Sequence, residues 1–578
     1  MRIANKLVGA CGTVILLLAL VGQGGAATLP TAPLPPEMVA YRPGAVLVRF
    51  RPGAGRLAQR RVLGAMDAQP VRELTGLGVQ VLAVAVGQEA AVAAALSRHP
   101  AVEYAELDHV AHVARTPNDP EWHQQWALPV IEAPAAWDLT VGGREQVIAV
   151  LDSGIDLDHP DLAAKLWVNE GEIPDNGLDD DGNGCVDDVH GCHFYVDRNG
   201  NHRKDGTVQD PAGHGSHVAG IAAAATDNGV GIAGVSWGPQ LMPVRVLYDN
   251  LIGFYSDIAD GIEYAADQGA TVINLSLGGT PASQTLQEAV DYAHERGALL
   301  AAAAGNKGYQ GQPVLYPAAC EHVIAVAATD QTDNRWYASN RGPQIDLAAP
   351  GVVIYSASAA GFYFQQDGTS VATPHVSGLA ALLLSLQPWL TPDEVEGLLG
   401  QSADDVNGAT FPGWDEELGW GRINARQAVE AAAAGLDLTL SVEPDWLPPG
   451  GGQAQITALL ADGDGEGRPA GSGAAIAFAS EGGVITPTLG LTLGGLATAT
   501  LDFEGGAVGS SVIVTATFGS QTRSVLIPVL SPTATPTVTA TVTPTPTPTA
   551  TPTPAATATS TPTATPIRHL RYLPLMVR

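Results

Sequence analysis

Basic side chains are scarce in this 578-residue chain, which has 28 Lys and Arg against 59 Asp and Glu and a formal net charge of −31. This excess of negative charge repels phosphates and excludes a general nucleic-acid binder. The imbalance is local, because residues 116–435 contain 43 of the acidic residues and 12 of the basic ones. Residues 28–115 have nine Arg against seven acidic residues. The function must therefore account for one acidic block.

Cysteine is also scarce, with four residues in the chain. Cys185 and Cys192 are seven positions apart in one predicted loop, where they either pair in an oxidising compartment or stay reduced. Cys320 precedes an apolar run, and we expect it to be a buried, inert thiol. No set of Cys and His residues has the usual spacing of a zinc site, so the sequence predicts none.

Long hydrophobic runs are lacking beyond the N-terminus. Leu7–Val21 is apolar over 15 residues, follows Arg2 and Lys6, and is too short to span a bilayer comfortably. This pattern predicts a signal peptide over residues 1–27 and hence secretion. A lipoprotein anchor on Cys11 is the alternative, but Cys11 precedes most of the apolar run rather than following it.

The C-terminal region alternates Thr, Pro and Ala without charge over residues 531–566. Such a composition cannot bury a core and predicts a disordered, extended Thr/Pro-rich stalk. Residues 567–578 form a basic and apolar tag. Cell-surface attachment through the stalk and tag is one interpretation, and a plain spacer is the other.

Three regions of different periodicity lie between these ends. Within residues 28–115, residues 41–110 show the order strand, helix, strand, helix, strand, which predicts a small α+β ferredoxin-like module. Residues 116–435 alternate short apolar strands with Ala-rich helices, which predicts an α/β domain with a parallel sheet and helices on both faces. Residues 436–530 show alternating strands and Gly-rich turns, which predicts an all-β, immunoglobulin-like sandwich.

Three segments of the α/β region carry reactive side chains at the ends of predicted elements. The buried strand Val147–Asp152 ends in an acid, His214 opens an Ala-rich helix, and Ser370 opens another. Nucleophilic acyl transfer requires a hydroxyl, a base that activates it and a carboxylate that orients the base. Taken singly, each motif has a plainer interpretation, such as a metal-binding His pair or a helix cap.

In this order, the three segments resemble the subtilisin-like serine proteases, or subtilases. Thr116-Pro-Asn-Asp119-Pro and Ala133-Pro-Ala-Ala-Trp137-Asp indicate the thermitase-like branch, and the resemblance covers most of residues 116–428. It implies a secreted serine endopeptidase, in which the predicted roles are Asp152 orienting the base, His214 as general base and then acid, Ser370 as nucleophile and Asn306 as oxyanion donor. The alternative is an inactive adhesin or scaffold that keeps the protease fold and binds through residues 436–530.

The same resemblance implies further roles. Residues 28–115 would be a propeptide that inhibits its own enzyme until cleavage near residues 112–116. The predicted substrate groove consists of Ser276, Leu277, Gly278, Gly305 and, as an aromatic flap, Tyr255. These segments contain no acid that would select a basic side chain, so we expect broad specificity with an apolar preference. For Tyr255, a plain packing role is the alternative.

Oxygen-rich segments account for part of the acidity. One loop has Asp179, Asp181, Asn183 and Asp187 at the first, third, fifth and ninth positions of an EF-hand-like pattern, with Gly184 at the sixth. This predicts a structural Ca²⁺ site, with a solvated acidic loop as the alternative. The family resemblance implies a second calcium site, whose ligands would include Asp119, Asp161 and Asn228, and a third, weaker site near Asp197.

Overall fold

The structure, a computed structural model, describes residues 41–85, 88–109 and 115–531. The predicted signal peptide, the predicted cleavage region up to residue 114, the C-terminal tag and nearly all of the stalk lie outside the described residues.

The N-terminal module is a four-stranded antiparallel sheet in the order β2-β3-β1-β4 with two helices. Its elements are β1 (Tyr41–Phe50), α1 (Arg56–Ala65), β2 (Gln69–Leu74), β3 (Val79–Ala83), α2 (Glu89–Ser97) and β4 (Val102–His109). Val46, Leu63 and Leu96 meet in one core. The arrangement is the β-α-β-β-α-β order of ferredoxin-like modules. The five predicted elements are all present, and β2 is one that the sequence analysis lacks.

The central region is built on an eight-stranded sheet in the order β12-β11-β10-β9-β5-β8-β6-β7, parallel except for the β6–β7 pair. The predicted parallel sheet is therefore present. Its elements are α3 (Ala127–Val130), α4 (Ala133–Ala136), β5 (Val147–Asp152), β6 (Cys192–Val196), β7 (His202–Asp205), α5 (His214–Ala223), β8 (Gln240–Arg245), α6 (Tyr255–Asp267), β9 (Val272–Leu275), α7 (Gln284–Glu295), β10 (Leu299–Ala303), β11 (Val323–Thr329), β12 (Leu347–Pro350), β13 (Ile354–Ala357), β14 (Tyr363–Gln366), α8 (Thr369–Leu386), α9 (Pro392–Gln401) and α10 (Ala425–Ala433).

Two apolar clusters cover the sheet, one on each face. Helix α8 is apolar and long enough to cross a membrane, but 94% of its most apolar stretch is buried inside the fold. Its buried face packs on β9, β10 and β11. The composition of α8 therefore reflects a central core helix.

The C-terminal region consists of two four-stranded sheets whose pairs are antiparallel, in the orders β15-β16-β20-β18 and β19-β17-β21-β22. Its strands are β15 (Leu436–Glu443), β16 (Gly452–Asp462), β17 (Ala475–Glu481), β18 (Val484–Thr486), β19 (Leu489–Leu491), β20 (Leu496–Phe503), β21 (Ser511–Phe518) and β22 (Gln521–Pro528). The four strands predicted from sequence are among them. The immunoglobulin-like type remains a prediction.

This β region is joined to the α/β region through its backbone and its core. Thr140 forms a β-bridge with Ala474, and the Ala475 N–H donates to the Leu139 carbonyl at 2.8 Å. The apolar cluster below α8 continues without a break into Leu436 and Phe518. The two regions therefore share buried surface rather than a flexible linker.

We predict that Ala474→Asp destabilises both regions together. Ala474 is fully buried at the bridge, and an unpaired charge there would cost about 3 kcal/mol or more. Calorimetry should show one unfolding transition that moves to lower temperature, while Ala507→Asp on an exposed turn of the same region should leave it unchanged. If the α/β region kept its own transition temperature in Ala474→Asp, the shared-core interpretation would be wrong.

Candidate active site

The side chains predicted to be reactive lie at one edge of the central sheet. Asp152 ends β5, while His214 and Ser370 occupy the first turns of α5 and α8. Asn306 follows β10. Because the carboxyl ends of parallel strands share an edge, residues far apart in sequence meet there.

Asp152 and His214 are in direct contact. Nδ1 of His214 lies 2.8 Å from Oδ1 and 2.9 Å from Oδ2 of Asp152. The Asp152 side chain is completely buried and also accepts the Ser153 N–H at 2.7 Å. This contact makes Nδ1 the protonated nitrogen of a neutral His214, so that the other ring nitrogen has a free lone pair.

Two opposing effects act on the pKa of His214. Burial lowers it, but the charge of Asp152 and the hydrogen bond to that carboxylate raise it, and the net shift is upward. His214 is therefore a stronger base than a free imidazole. When the solution is acidified, it becomes protonated at a higher pH than a free imidazole does.

Asp210 is a residue that the sequence analysis missed. Its Oδ1 accepts the Ser153 hydroxyl at 2.8 Å and the Gly213 N–H at 2.8 Å. Its Oδ2 accepts both the N–H and the hydroxyl of Ser216, at 2.9 and 2.7 Å. Asp210 thus ties the end of β5 to the start of α5. An Asp four residues before a predicted helix was the available signal.

Ser370 and Asn306 flank Gly368. A Cβ placed on Gly368 would lie 2.9 Å from Oγ of Ser370 and 3.2 Å from Nδ2 of Asn306. Oδ1 of Asn306 accepts the N–H and the hydroxyl of Thr369, at 2.9 and 2.8 Å. Because Thr369 holds the amide oxygen, the NH₂ group of Asn306 faces the same space as the Ser370 hydroxyl.

A chain of hydrogen bonds connects β9 to the start of α8. The Ser276 hydroxyl donates to the Ser370 carbonyl at 2.7 Å and accepts from Nδ2 of Asn274 at 2.9 Å. Oδ1 of Asn274 accepts the Ser377 hydroxyl at 2.8 Å. The backbone of Ser370 is therefore fixed from the sheet side.

These groups open into a groove of about 660 Å³. Eight of the nine predicted catalytic and substrate-binding residues line the groove, and Asp152 does not: the eight are His214, Ser370, Asn306, Tyr255, Ser276, Leu277, Gly278 and Gly305. Apolar side chains also line it, namely Leu247, Leu251, Ile252, Ile258 and Leu315. Among the described lining residues there is no Asp or Glu, and Lys307 contributes a cation.

Two of the predicted groove residues, Gly278 and Gly305, have no room for a larger side chain. A Cβ on Gly278 would lie 2.9 Å from Cβ of Leu315, and one on Gly305 would lie 2.4 Å from Nδ2 of Asn340. Both glycines are thus required by packing behind the groove wall, in addition to any role in substrate access. Tyr255 begins α6, lines the groove and donates its hydroxyl to the Pro281 carbonyl at 3.1 Å.

The two other histidines of these motifs are packed in the core. His217 and His375 are buried, and burial lowers their pKa values to about 3 and about 4. His217 contacts the carbonyls of Ile354 and Phe364, and His375 contacts that of Val371. Both side chains are therefore core residues rather than candidate bases.

The residues of one predicted calcium site converge. Oδ1 of Asp161 accepts Nδ2 of Asn228 at 3.0 Å, and Asp119 accepts the backbone N–H groups of Asp227 and Asn228 at 2.9 and 3.2 Å. Burial raises the pKa of Asp119, backbone hydrogen bonds lower it, and the Asp161 charge raises it further, to a net upward shift. Two neighbouring carboxylates fit a hard cation such as Ca²⁺. Asn228 presents its NH₂ group to Asp161 in this structure, and its Oδ1 accepts the Val230 N–H at 2.7 Å.

The other predicted calcium loop converges only in part. Carboxylate oxygens of Asp179 and Asp181 lie within 4.8 Å of one from Glu172, which the sequence analysis missed. Glu172 is buried, and its Oε2 has no hydrogen-bond partner, which is the environment expected of a metal ligand. Nδ2 of Asn183 donates to Asp181 at 3.0 Å. Asp187 instead accepts the backbone N–H groups of residues 176 and 177.

The cysteines resolve one open question. Cys185 and Cys192 form a disulfide that closes the acidic loop, and Cys320 is a buried thiol. Asp197 has its carboxylate surrounded by donors of Asn199, Asn201 and Arg203, and these hydrogen bonds lower its pKa. The third, weaker calcium site near Asp197 remains a prediction.

Sequence comparisons agree with this geometry. The profile of the Subtilase family (Peptidase_S8) matches residues 143–421, and that of the Fervidolysin N-terminal prodomain matches residues 31–108. The chain is 38% identical over 395 residues to a thermophilic serine proteinase of Bacillus sp. (strain AK1), covering 68% of this chain and 89% of that protein. It is 41% identical over 316 residues to thermitase of Thermoactinomyces vulgaris, covering 54% and 99%. It is 36% identical over 365 residues to a halolysin-like extracellular serine protease of Natrialba magadii, covering 63% and 62%.

We predict that a fluorophosphonate reagent labels Ser370 at a rate that depends on the protonation of His214. Only neutral His214 accepts the hydroxyl proton, so the rate should fall as the pH drops through the raised pKa, with a midpoint above the ordinary value of about 6.5. Mass spectrometry of the labelled peptide at a series of pH values measures this rate.

Asp152→Asn is the matched control for this prediction. It removes the charge that raises the pKa of His214, so the remaining slow labelling should have its midpoint at a lower pH. A labelling rate that stayed constant from neutral pH down to pH about 5 would contradict the assignment of His214 as the base.

Proposed function

Because this chain belongs to the subtilase family and is a serine endopeptidase, we propose that Asp152, His214 and Ser370 are its catalytic triad and Asn306 its oxyanion donor. The observation that carries the proposal is the contact of His214 Nδ1 with both oxygens of buried Asp152, at 2.8 and 2.9 Å. His214, Ser370 and Asn306 line the same groove.

The reaction follows from these positions. His214 removes the Ser370 proton as Oγ attacks the scissile carbonyl, and Asp152 stabilises the imidazolium that forms. His214 then protonates the leaving amine, which leaves an acyl-enzyme on Ser370. Water attacks the ester with His214 again as base, and the acid product leaves.

The negative charge on the tetrahedral oxygen has two donors. Nδ2 of Asn306 and the backbone N of Ser370 both face the space beside Gly368. A Cβ placed on Gly368 would lie 3.2 Å from the former and 3.5 Å from the latter. Ser370 also lies at the N-terminus of the 18-residue helix α8, whose dipole favours negative charge. Since Thr369 fixes the amide oxygen of Asn306, this donor is already oriented before the charge develops.

The groove favours apolar substrate side chains. Leu277, Leu315 and Ile258 line it, and the side chain of Lys307 adds a positive charge to its wall. A basic side chain would find no acidic partner among the described lining residues and would meet Lys307. We therefore propose broad endopeptidase activity with an apolar preference, with Tyr255 and residues 276–278 as substrate-binding groups.

The test compares casein hydrolysis by the wild type, Ser370→Ala and Asn306→Ala. We expect no hydrolysis above background for Ser370→Ala, because the nucleophile is lost. Asn306→Ala should retain KM and lose about 10²- to 10³-fold in kcat, since the amide acts mainly in the transition state. Full activity of Ser370→Ala would refute the proposed triad, and an inactive wild type would favour the scaffold alternative.

The prodomain supports a zymogen. We propose that residues 28–115 form an inhibitory propeptide, that residues 116–435 are the catalytic domain, and that residues 436–530 are an accessory immunoglobulin-like sandwich. The Ser370→Ala chain should then accumulate with residues 28–115 still attached, which N-terminal sequencing would show. We further propose secretion, which the extracellular relative from Natrialba magadii supports.

We also propose two structural Ca²⁺ ions. One would be bound by Asp119, Asp161 and Asn228, and the other by Glu172 with Asp179 and Asp181. Asn183 would orient the ligand Asp181 through its hydrogen bond, and Asp187 would hold the loop at residues 176 and 177. Ca²⁺ would supply positive charge that neutralises neighbouring carboxylates, which fits their all-oxygen donor sets.

We predict that removal of Ca²⁺ destabilises the chain. A site held at 100 times its Kd contributes about 2.7 kcal/mol, so a chelator should lower the thermal midpoint of the Ser370→Ala protein. Glu172→Gln and Asp161→Asn should each lose part of the calcium-dependent shift. Glu504→Gln, an exposed acid of the β region, is the control and should keep all of it. A midpoint that was independent of Ca²⁺ in the parent protein would contradict the proposal.

A further inference from the structure

A cluster of two histidines and one aspartate lies outside the groove and both oxygen-rich sites. His294 is in the last turn of α7, His322 is in the connection before β11, and Asp393 is in the first turn of α9. One ligand atom from each lies within 4.8 Å of the other two. Nε2 of His294 is 2.9 Å from Oδ1 of Asp393, and the two imidazole rings stack with centroids 4.1 Å apart.

Hydrogen bonds of residues outside the cluster hold its segments in place. Gln287, two turns before His294 on α7, accepts the Glu321 N–H at 2.9 Å and donates to the Glu321 carbonyl at 3.1 Å. This pair fixes the residue directly before His322. A capping box between Thr391 and Glu394 fixes the first turn of α9. The backbone beside His322 and at Asp393 is therefore fixed before any ion binds.

The donor set selects a class of metal. Two imidazole nitrogens and one carboxylate oxygen are the ligands of open zinc sites, whereas Ca²⁺ and Mg²⁺ prefer oxygen alone. Zinc–ligand bonds of about 2.0–2.2 Å require donor atoms roughly 3.3 Å apart. The stacked imidazole rings of His294 and His322 must turn apart to direct their lone pairs at one ion. All three side chains are at least partly exposed, so an ion can enter from solvent.

We propose that His294, His322 and Asp393 bind one Zn²⁺ ion, with solvent completing the tetrahedron. The surroundings favour a cation, because a cavity of about 420 Å³ beside Asp393 is lined by Asp346 and Glu396 as well. The ion links α7, the entry to β11 and α9, three segments that are separate in sequence. It is independent of the calcium sites, and its role is to stabilise this face of the α/β domain.

The Cys and His spacings typical of zinc sites do not reveal this cluster in the sequence. Those spacings detect ligands supplied by one segment, as in Cys-x-x-Cys patterns. Here the ligands are 28 and 71 positions apart, as their numbers 294, 322 and 393 show. The fold alone brings them together.

The experiment uses the full chain with Ser370→Ala, which prevents autolysis, in excess Ca²⁺ so that the oxygen-rich sites are filled. Zn²⁺ is titrated against a chromophoric chelator. We expect one Zn²⁺ per chain, and a loss of affinity of at least tenfold in His322→Ala and in Asp393→Asn. His123→Ala, which removes an exposed histidine elsewhere, should leave the affinity unchanged.

A second measurement separates a metal site from a metal-free His–Asp contact. Co²⁺ bound by four ligands gives strong visible absorption bands, which should appear in the parent and be absent from His322→Ala. Zn²⁺ should also raise the thermal midpoint of the parent and not that of His322→Ala. Equal Zn²⁺ affinity of the parent and both cluster variants, or no binding by the parent, would overturn the proposal.

Discussion

The buried carboxylate of Asp152 is the constraint on which the catalytic end of the sheet depends. A fully buried charge is stable only if donors surround it, and Asp152 obtains them from the Ser153 N–H and the His214 ring. Because Asp152 ends β5 and His214 begins α5, satisfying this charge also sets the strand against the helix. Asp210 forms a second link of this kind, because it accepts hydrogen bonds from Ser153, just after β5, and from Ser216 in α5. The geometry of the base is thus a consequence of where two carboxylates can be buried.

The segment that connects these two residues explains much of the acidity. Residues 153–213 contain 14 acidic and four basic side chains, and their only strands are the short β6 and β7. A segment this long and this charged needs cross-links to remain ordered. The Cys185–Cys192 disulfide provides one, and the ion proposed between Glu172 and Asp179 would provide another. Cation binding at that loop would therefore act on the same stretch of chain that positions His214.

The sequence predicted those parts of the fold that have a buried, periodic side-chain pattern. Strands β9 and β10 belong to this group, because every residue of both is buried. Strand β2 was missed, since five of its six residues are exposed and show no alternation. Strands β18 and β19 have three residues each, which is too short for a period of two to be visible. Exposure and length, rather than unusual chemistry, limited the prediction.

The candidate site divides in the same way. Asp152, His214 and Ser370 each sit in a local motif, so sequence alone could nominate them. Glu172 lies seven residues before the loop pattern that it completes, and its buried, unpartnered oxygen is visible only in three dimensions. One local motif cannot encode contacts between distant segments, and such contacts form the side-chain clusters proposed to bind cations. A sheet with helices on both faces orders its own core, but its long connections depend on such contacts. The acidic block of the sequence therefore includes paired and clustered carboxylates, and is not a uniformly solvated surface.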